Sequence, residues 1–360
     1  MGRIYNFSAG PATLPVEVLE KARDEFLDFQ GSGMSIIEMS HRGKIFDAVH
    51  EKSFELLRKI ANIPDRFDIN YMGGGASTQF ALIPMNLSGK GQKAGYVNTG
   101  SWSKKAIEQA KIQGIDVQEV ASSKDSNFNH IPDPINVPEG LDYVHVTSNN
   151  TIFGTQFKQF PNPNGSVLTI DMSSDFLSKP IDWNGIGIAY AGLQKNAGPS
   201  GMAVAIVDKE LYKREKEDTP TMFRYSTYGE NKSLYNTPPT FQIYMLGLIL
   251  EWIDGKGGLE GIQKHNETKA GMIYDVIDAN PEFYLPHAQN DSRSLMNITF
   301  NCKSDELNAK FLEESKKEGM DGLKGHRSVG GLRASIYNAM SQEGCKALAD
   351  FMKDFVQRNG

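Results

Sequence analysis

Short apolar runs alternate with amphipathic segments through most of the chain, and this alternation limits the fold more than any other feature. An apolar run of roughly four to eight residues suits a strand buried on both faces, and an amphipathic segment between two such runs suits the crossover helix of a parallel sheet. The runs are Ile69 to Met72, Gly95 to Asn98, Tyr143 to Thr147, Val167 to Asp171, Ile186 to Tyr190 and Met202 to Val207. Helices are expected over Pro15 to Phe29, with proline in the first turn, over Phe46 to Ile60, and from near Pro239 through Ile253. The pattern predicts an α/β sheet covered by helices. No fixed-period repeat points to a solenoid or a propeller.

The character changes after about residue 260. A helix over Leu259 to Ala279 should stop at Asn280-Pro281, because proline steers the residue before it out of the helical region. Met296, Ile298 and Phe300 alternate with polar neighbours, as in a half-exposed strand. A last helix begins at Ser341, a good N-cap, and sets Leu348, Phe351 and Phe355 on one face. A large α/β domain followed by a smaller α+β domain is the expected organisation. A length of 360 residues agrees with it at roughly 150 residues per domain.

Composition excludes several classes. The formal net charge is −6 with no basic tail, which argues against nucleic acid as a general partner. Cys302 and Cys345 are the only cysteines, too few for a disulfide framework and without metal-ligand spacing, so they read as reduced thiols of a cytosolic protein. No pair of histidines has the spacing of a metal site. Met1 to Asn6 lacks the apolar core of a signal peptide, and Asn6 breaks the myristoylation pattern. Phe241 to Ile253 is too short to span a bilayer and carries Gln242 and Glu251. The expectation is a cytoplasmic protein without membrane or metal.

Five features carry chemistry. Gly73-Gly74-Gly75 follows a predicted strand and precedes Ala76-Ser77-Thr78-Gln79, where backbone N–H groups at a helix start could hold an anion. It is neither a dinucleotide fingerprint nor a P-loop, and a tight strand-to-helix turn explains the same residues. Asp171 ends an apolar run, which puts a carboxylate where open α/β sheets bind ligands; capping the next turn is the plainer use. Lys195 lies in Gly192-Leu193-Gln194-Lys195-Asn196-Ala197-Gly198-Pro199-Ser200-Gly201, with few carboxylates near it in sequence. Such a lysine could be partly neutral and form a Schiff base, although most lysines are solvated surface charges. Trp102 lies in a polar stretch between strand and helix, where an indole could stack on a flat ring or pack in the core. His41-Arg42 and His326-Arg327, with Arg333, could grip a doubly anionic small molecule.

A phosphate loop, a stacking aromatic, an acid for a pyridinium and a lysine for an aldehyde are the parts that pyridoxal phosphate chemistry needs. In that order, and over the whole chain, they resemble the class V, fold-type I aminotransferases, and within these the phosphoserine aminotransferase family. The resemblance rests on Asn6-Phe7-Ser8-Ala9-Gly10-Pro11-Ala12 with Leu14-Pro15, Met39-Ser40-His41-Arg42, Gly74-Gly75-Ala76-Ser77-Thr78-Gln79-Phe80, Ser148-Asn149-Asn150-Thr151, and Gln194 to Gly201. It implies a large domain with a mostly parallel mixed sheet over 16–260 and a small domain from 1–15 and 261–360. It also implies pyridoxal 5′-phosphate held by Lys195, paired with Asp171, stacked on Trp102, bonded by Thr151, and cupped at its phosphate by Ala76, Ser77 and Gln194. In such a homodimer Asn236-Thr237 of the neighbouring copy completes the cup. Arg333 would grip the α-carboxylate, and Arg42 with His41 the distal group, helped by His326 and Arg327 across the dimer interface; Ser8 would touch the substrate. Phe153 stands where many relatives carry an acidic residue.

The implied reaction is transamination between glutamate and 3-phosphohydroxypyruvate, giving O-phospho-L-serine and 2-oxoglutarate in serine synthesis. Many bacterial relatives also handle 4-phosphohydroxy-L-threonine. Other class V enzymes are the neighbouring alternatives. A cysteine desulfurase would need a nucleophilic cysteine on a mobile loop, and an alanine–glyoxylate enzyme has little use for two His-Arg pairs. A phosphometabolite-binding protein without catalysis would not need Lys195.

Overall fold

The computed structural model describes residues 2–360; Met1, the first residue of the segment read above for targeting signals, lies outside them. In chain order the regular elements are β1 (Tyr5–Asn6), α1 (Val16–Asp24), α2 (Lys44–Ile60), β2 (Phe67–Gly73), α3 (Ala76–Leu87), β3 (Lys93–Asn98), α4 (Ser101–Ile112), β4 (Asp116–Ser122), β5 (Tyr143–Thr147), β6 (Val167–Asp171), β7 (Ile186–Gly192) and β8 (Met202–Asp208). There follow α5 (Tyr225–Glu230), α6 (Thr240–Gly255), α7 (Gly258–Ala279), β9 (Tyr284–Pro286), β10 (Asn297–Cys302), α8 (Asp305–Lys317), β11 (Met320–Asp321), β12 (Leu332–Ser335) and α9 (Gln342–Asn359).

Seven strands form one sheet in the order β2-β8-β7-β6-β5-β3-β4. Neighbours are parallel except at β8, which runs antiparallel to both β2 and β7. The architecture is a mostly parallel, mixed α/β sheet, as the resemblance implies. All six predicted strands are present, each inside or equal to an observed one. They were legible because both faces are covered. Val144, Val146, Leu168, Ile170, Val204 and Ile206 pack under α1, α2 and α6, while Tyr143, Tyr190, Ala205 and Val207 pack under α3 and α4. β4 escaped notice because it is an edge strand, half-exposed along its length and too polar to show an apolar run.

A second core joins the inner half of α7 to α8, α9 and the antiparallel sheet β12-β10-β9. β1 pairs in parallel with β11, so Phe7 is buried in this second core despite its distance in sequence. α7 belongs to both cores: Leu259 and Ile262 pack in the first, and Ala270, Ile273, Val276 and Ile277 in the second. The expected domain boundary near residue 260 therefore falls in the first turn of an unbroken helix. The helix ends at Ala279, ahead of Asn280-Pro281, as the proline requires.

One helix is shorter than its sequence predicted. α1 stops at Asp24 and does not reach Phe29. The Asp28 carboxylate accepts the Gly33 N–H at 2.7 Å, closing a turn that displaces the last helical turn and leaves Leu27 exposed. Among the described residues no helix is long and apolar enough to cross a membrane.

Candidate active site

The single reversed strand decides where the chemistry sits. With β2, β3, β5, β6 and β7 parallel, their carboxyl ends share one edge of the sheet, and the start of β8 joins them because Gly73 pairs with Met202 and Gly192 with Ala203. Loops leaving that edge enclose a cleft of about 690 Å³ lined by residues that include Ala76, Ser77, Trp102, Thr151, Asp171, Gln194, Lys195, His326 and Arg333.

Lys195 hangs from the β7–β8 connection and is buried. Its Nζ donates to Thr151 Oγ1 at 2.8 Å and lies 5.6 Å from the centre of the Trp102 ring. Burial pushes its pKa down to about 8, with the Asp171 and Asp175 carboxylates acting in the opposite direction and Arg333 in the same one. The downward shift, with desolvation as its main cause, is in the direction that the sequence reading of a partly neutral lysine requires. Thr151 also touches the other end of the site, since its carbonyl oxygen accepts from Arg333 Nη1 at 3.2 Å.

Asp171 closes β6 and is buried. Its Oδ1 accepts the Ser173 N–H at 2.9 Å and the Ser173 hydroxyl at 2.6 Å, while Ser173 Oγ accepts the Gly192 N–H at 3.1 Å. The turn-capping use and the ligand-facing position coexist: one oxygen is bonded locally and the carboxylate still lines the cleft. Burial raises its pKa, and the Ser173 hydrogen bonds and the Lys195 charge oppose the rise. Behind it the buried Asp175 accepts from Ser148 Oγ and, at 3.0 Å, from Gln156 Nε2.

The Gly-rich segment forms a tight turn that leaves a helix start open towards the cleft. Gly74 and Gly75 have φ of +92° and +70°, and a Cβ on Gly74 would collide with Thr78 Oγ1. They deliver α3 with no side chain capping its first turn, so the N–H groups at Ala76 and Ser77 face the cleft region without a local acceptor. Trp102 stands in the first turn of α4 and not in a loop. Gly100 lets the chain turn there, since a Cβ would meet Asn150 Nδ2, whose amide donates to the Thr99 carbonyl. The indole Nε1 of Trp102 and the Nε of Arg333 are buried without a hydrogen-bond partner.

Not every sequence candidate lines the cleft of its own chain. His326 does, with Nδ1 accepting from the Ser328 N–H at 3.2 Å; Arg327 beside it is exposed. Ser8 does not, although Ala9, Gly10 and Pro11 do. His41, Arg42, Asn236 and Thr237 all lie outside, and Arg42, Asn236 and Thr237 are exposed. The structure also engages, in the cleft and behind its walls, residues that the motifs gave no chemical reason to choose. Asn149 donates to Ser174 Oγ and to Asn297 Oδ1, each at 2.8 Å, joining the β5–β6 loop to β10. Tyr337, whose hydroxyl donates to the Ala9 carbonyl at 2.7 Å, has no signal in sequence beyond a Ser-Ile-Tyr run. Phe153 takes an apolar role, 5.0 Å from the Phe128 ring centre. Cys302 and Cys345 are buried and burial pushes both thiols up to about 12, which removes them as nucleophiles.

Residues 4–348 match the family model described as aminotransferase class-V. The phosphoserine aminotransferase of Lysinibacillus sphaericus is 52% identical over 359 residues, covering 99% of both sequences. This chain is a class-V aminotransferase. Such enzymes are transferases dependent on pyridoxal 5′-phosphate. Among solved structures, phosphoserine aminotransferase from Bacillus circulans subsp. alkalophilus superposes on this aminotransferase with a TM-score of 0.97 at 52% identity and 99% coverage of each chain. The pyridoxal phosphate-bound phosphoserine aminotransferase of Trichomonas vaginalis gives a TM-score of 0.92 at 40% identity, over 98% of this chain and 100% of that one.

The residues of this aminotransferase fit the cofactor. A phosphate needs N–H donors, and α3 offers an uncapped N-terminus. A pyridinium needs a carboxylate, and Asp171 offers an oxygen free of its local bonds with Ser173. An aldehyde needs a neutral amine, and Lys195 titrates near 8. A flat ring needs a planar wall, and Trp102 lines the same cleft.

Proposed function

We propose that this aminotransferase catalyses the reversible exchange of an amino group between glutamate and 3-phosphohydroxypyruvate, giving O-phospho-L-serine and 2-oxoglutarate in serine synthesis. The observation that carries the reading is Lys195: a buried, partly neutral lysine in one cleft with Asp171, Trp102 and Arg333, in a chain half-identical to phosphoserine aminotransferases along its whole length.

Bound in the cleft, pyridoxal 5′-phosphate supplies an electron sink for the charge left when a proton leaves the substrate Cα. Lys195 would hold it through Nζ and, once displaced by the substrate amine, accept and return the Cα proton. A pKa near 8 leaves enough neutral amine for that at physiological pH. Asp171, oriented by Ser173, would pair with the protonated ring nitrogen. Trp102 would cover the ring, Thr151 would bond its phenolic oxygen, and Ala76, Ser77 and Gln194 would hold its phosphate. Arg333 would bind the α-carboxylate, with its unpartnered Nε and its bond to Thr151 aiming the guanidinium.

His326 at the cleft and the exposed Arg327 beside it, joined by His41 and Arg42 of a second copy, would take the distal anion. Asn236 and Thr237 of that copy would complete the phosphate cup, so the working unit is a homodimer with shared sites. The position of His41, Arg42, Asn236 and Thr237 outside the cleft of their own chain supports this reading. We place the enzyme in the cytoplasm, in keeping with its two free thiols. The proposal extends to 4-phosphohydroxy-L-threonine, which carries a carboxylate and a phosphate at comparable ends, and the domain division at 16 and 260 is kept as its working frame.

The test is a half-reaction. The purified protein with pyridoxal 5′-phosphate is expected to show a yellow visible band that bleaches with O-phosphoserine and with glutamate, but not with alanine, when no keto acid is present. Bleaching by alanine alone would keep the cofactor and overturn the substrate. A protein that stays colourless with pyridoxal 5′-phosphate would overturn the enzyme reading itself.

A further inference from the structure

Lys269, on α7, is fully buried and has no place in the reaction described above. It forms no ion pair among the described residues. Its Nζ donates to the carbonyl oxygens of Ile336, Tyr337 and Asn338 at 2.8, 2.7 and 3.4 Å. An ammonium group has three donors, and here all three are spent on one turn of backbone. Burial pushes the pKa of Lys269 down to about 7; the titratable groups facing it are the Cys345 thiol and the His265 imidazole. A methionine would fill this space without that desolvation penalty, so the charge calls for a reason.

The turn that Lys269 holds is tied to the site at both ends. Three residues before Ile336 is Arg333, on β12. At its far end the Asn338 N–H donates to Asn196 Oδ1 at 2.9 Å, and Asn196 follows Lys195. Asn266, one helical turn before Lys269 on the same face of α7, donates to Asn338 Oδ1 at 2.9 Å and to the Ser178 carbonyl at 3.1 Å. The Asn338 amide in turn donates to the Leu177 carbonyl at 2.8 Å. One face of a helix shared by both cores thus fixes a turn that adjoins Arg333 on one side and Lys195 on the other.

We propose that Lys269, with Asn266, is a positioning residue: by clamping the Ile336–Asn338 turn it sets the separation between the guanidinium of Arg333 and the amine of Lys195. The inference rests on the roles given to those two residues above. A displacement of the turn would misplace the substrate carboxylate relative to the amine, and errors of about 1 Å in such pairs cost up to about a hundredfold in rate.

The test uses holoenzyme of Lys269→Met and of Asn266→Ala, the latter leaving every charge in place. For each, three quantities are read: half-saturation of band bleaching by glutamate and by O-phosphoserine, the pH midpoint of the visible band, and the melting temperature. Lys269→Met is expected to keep the band, to raise both half-saturation values about tenfold together, and to move the midpoint by about half a pH unit. Asn266→Ala should move the same quantities in the same directions by less. Wild-type half-saturation and midpoint in the variants that fold, whatever the loss in melting temperature, would reduce Lys269 to a structural residue and overturn the proposal. If Lys269→Met does not fold, Asn266→Ala alone decides. Lys195→Ala run alongside separates the two ideas: retained turnover in that variant would sink the roles on which the inference rests, whereas its inactivity with normal behaviour of both α7 variants would sink only the inference.

Discussion

The floor of the cleft and its rim are built in opposite ways. On the floor, Lys195, Asp171 and Thr151 are buried, and each has a hydrogen-bond partner within the chain. They sit at strand ends whose register is fixed by two packed faces, so their geometry comes with the fold. At the rim and beyond, Arg42, Asn236, Thr237 and Arg327 are exposed, and the His41 ring nitrogen Nε2 is buried without a partner. Proton transfer would need only the floor of one chain, whereas the rest of the phosphate cup and the side that would choose the substrate would be left for a second copy to finish. On the proposed roles, the comparison teaches that one chain would carry the machinery of proton transfer while selectivity would wait on assembly.

The largest effect that could break the comparison is at the floor. Lys195→Ala is expected to abolish the yellow band and lower turnover by at least about 10³-fold, measured as O-phosphoserine formation, because no other amine lines the cleft among the described residues. Next comes Asp171→Asn, which keeps the shape but not the charge. Its turnover should fall by about 10²-fold or more while a bleachable band remains, the loss of a fixed charge placed where charge develops. A variant with normal turnover would mean that Asp171 serves only the Ser173 turn.

The asymmetry also explains what sequence could and could not reveal. Asp171, Lys195 and the Gly-rich turn were legible because each ends or follows a buried strand, and such strands announce themselves as apolar runs. Trp102 was found, but its place in the first turn of α4 was not, since Gly-Ser at a helix start has the composition of a loop. Tyr337 and the Lys269 clamp were invisible because their partners are backbone carbonyls and residues about 70 or more positions away, as with Lys269 and Tyr337 themselves. His41, Arg42, Asn236 and Thr237 lie outside the cleft of their own chain, and the destination proposed for them would depend on surfaces that no periodicity within the chain encodes.

At the rim the effect is smaller and selective. Arg42→Ala should raise half-saturation for O-phosphoserine roughly ten- to a hundredfold, the worth of one charged hydrogen bond, and leave the visible band untouched. Co-expressing it with Lys195→Ala sharpens the comparison. In a dimer with shared sites, one of the two sites of each mixed pair has both residues intact, so turnover with wild-type half-saturation returns, which neither variant shows alone. No recovery would place Arg42 and Lys195 in the same chain's site, and would end the idea that selectivity waits on assembly.

The last effect, which does not touch turnover, concerns stability without cofactor. The fold lowers the pKa of Lys195 from 10.5 to about 8, so between those values the unfolded chain binds more protons than the folded one. Stability must therefore rise with pH across that window, and below it the buried ammonium costs the apoprotein on the order of 3 kcal/mol. Lys195→Met removes the titration and keeps most of the packing. The apo variant should melt above the apo wild type at pH 7, and the gap should narrow as pH climbs from 8 towards 10.5. Only the difference between the two proteins is informative, because the tyrosines and the other lysines, Lys269 included, titrate equally in both. A gap that stays constant with pH would mean that Lys195 enters the folded apoprotein already neutral or fully compensated, and the floor of the cleft would then be less strained, and closer in kind to the rim, than its burial implies.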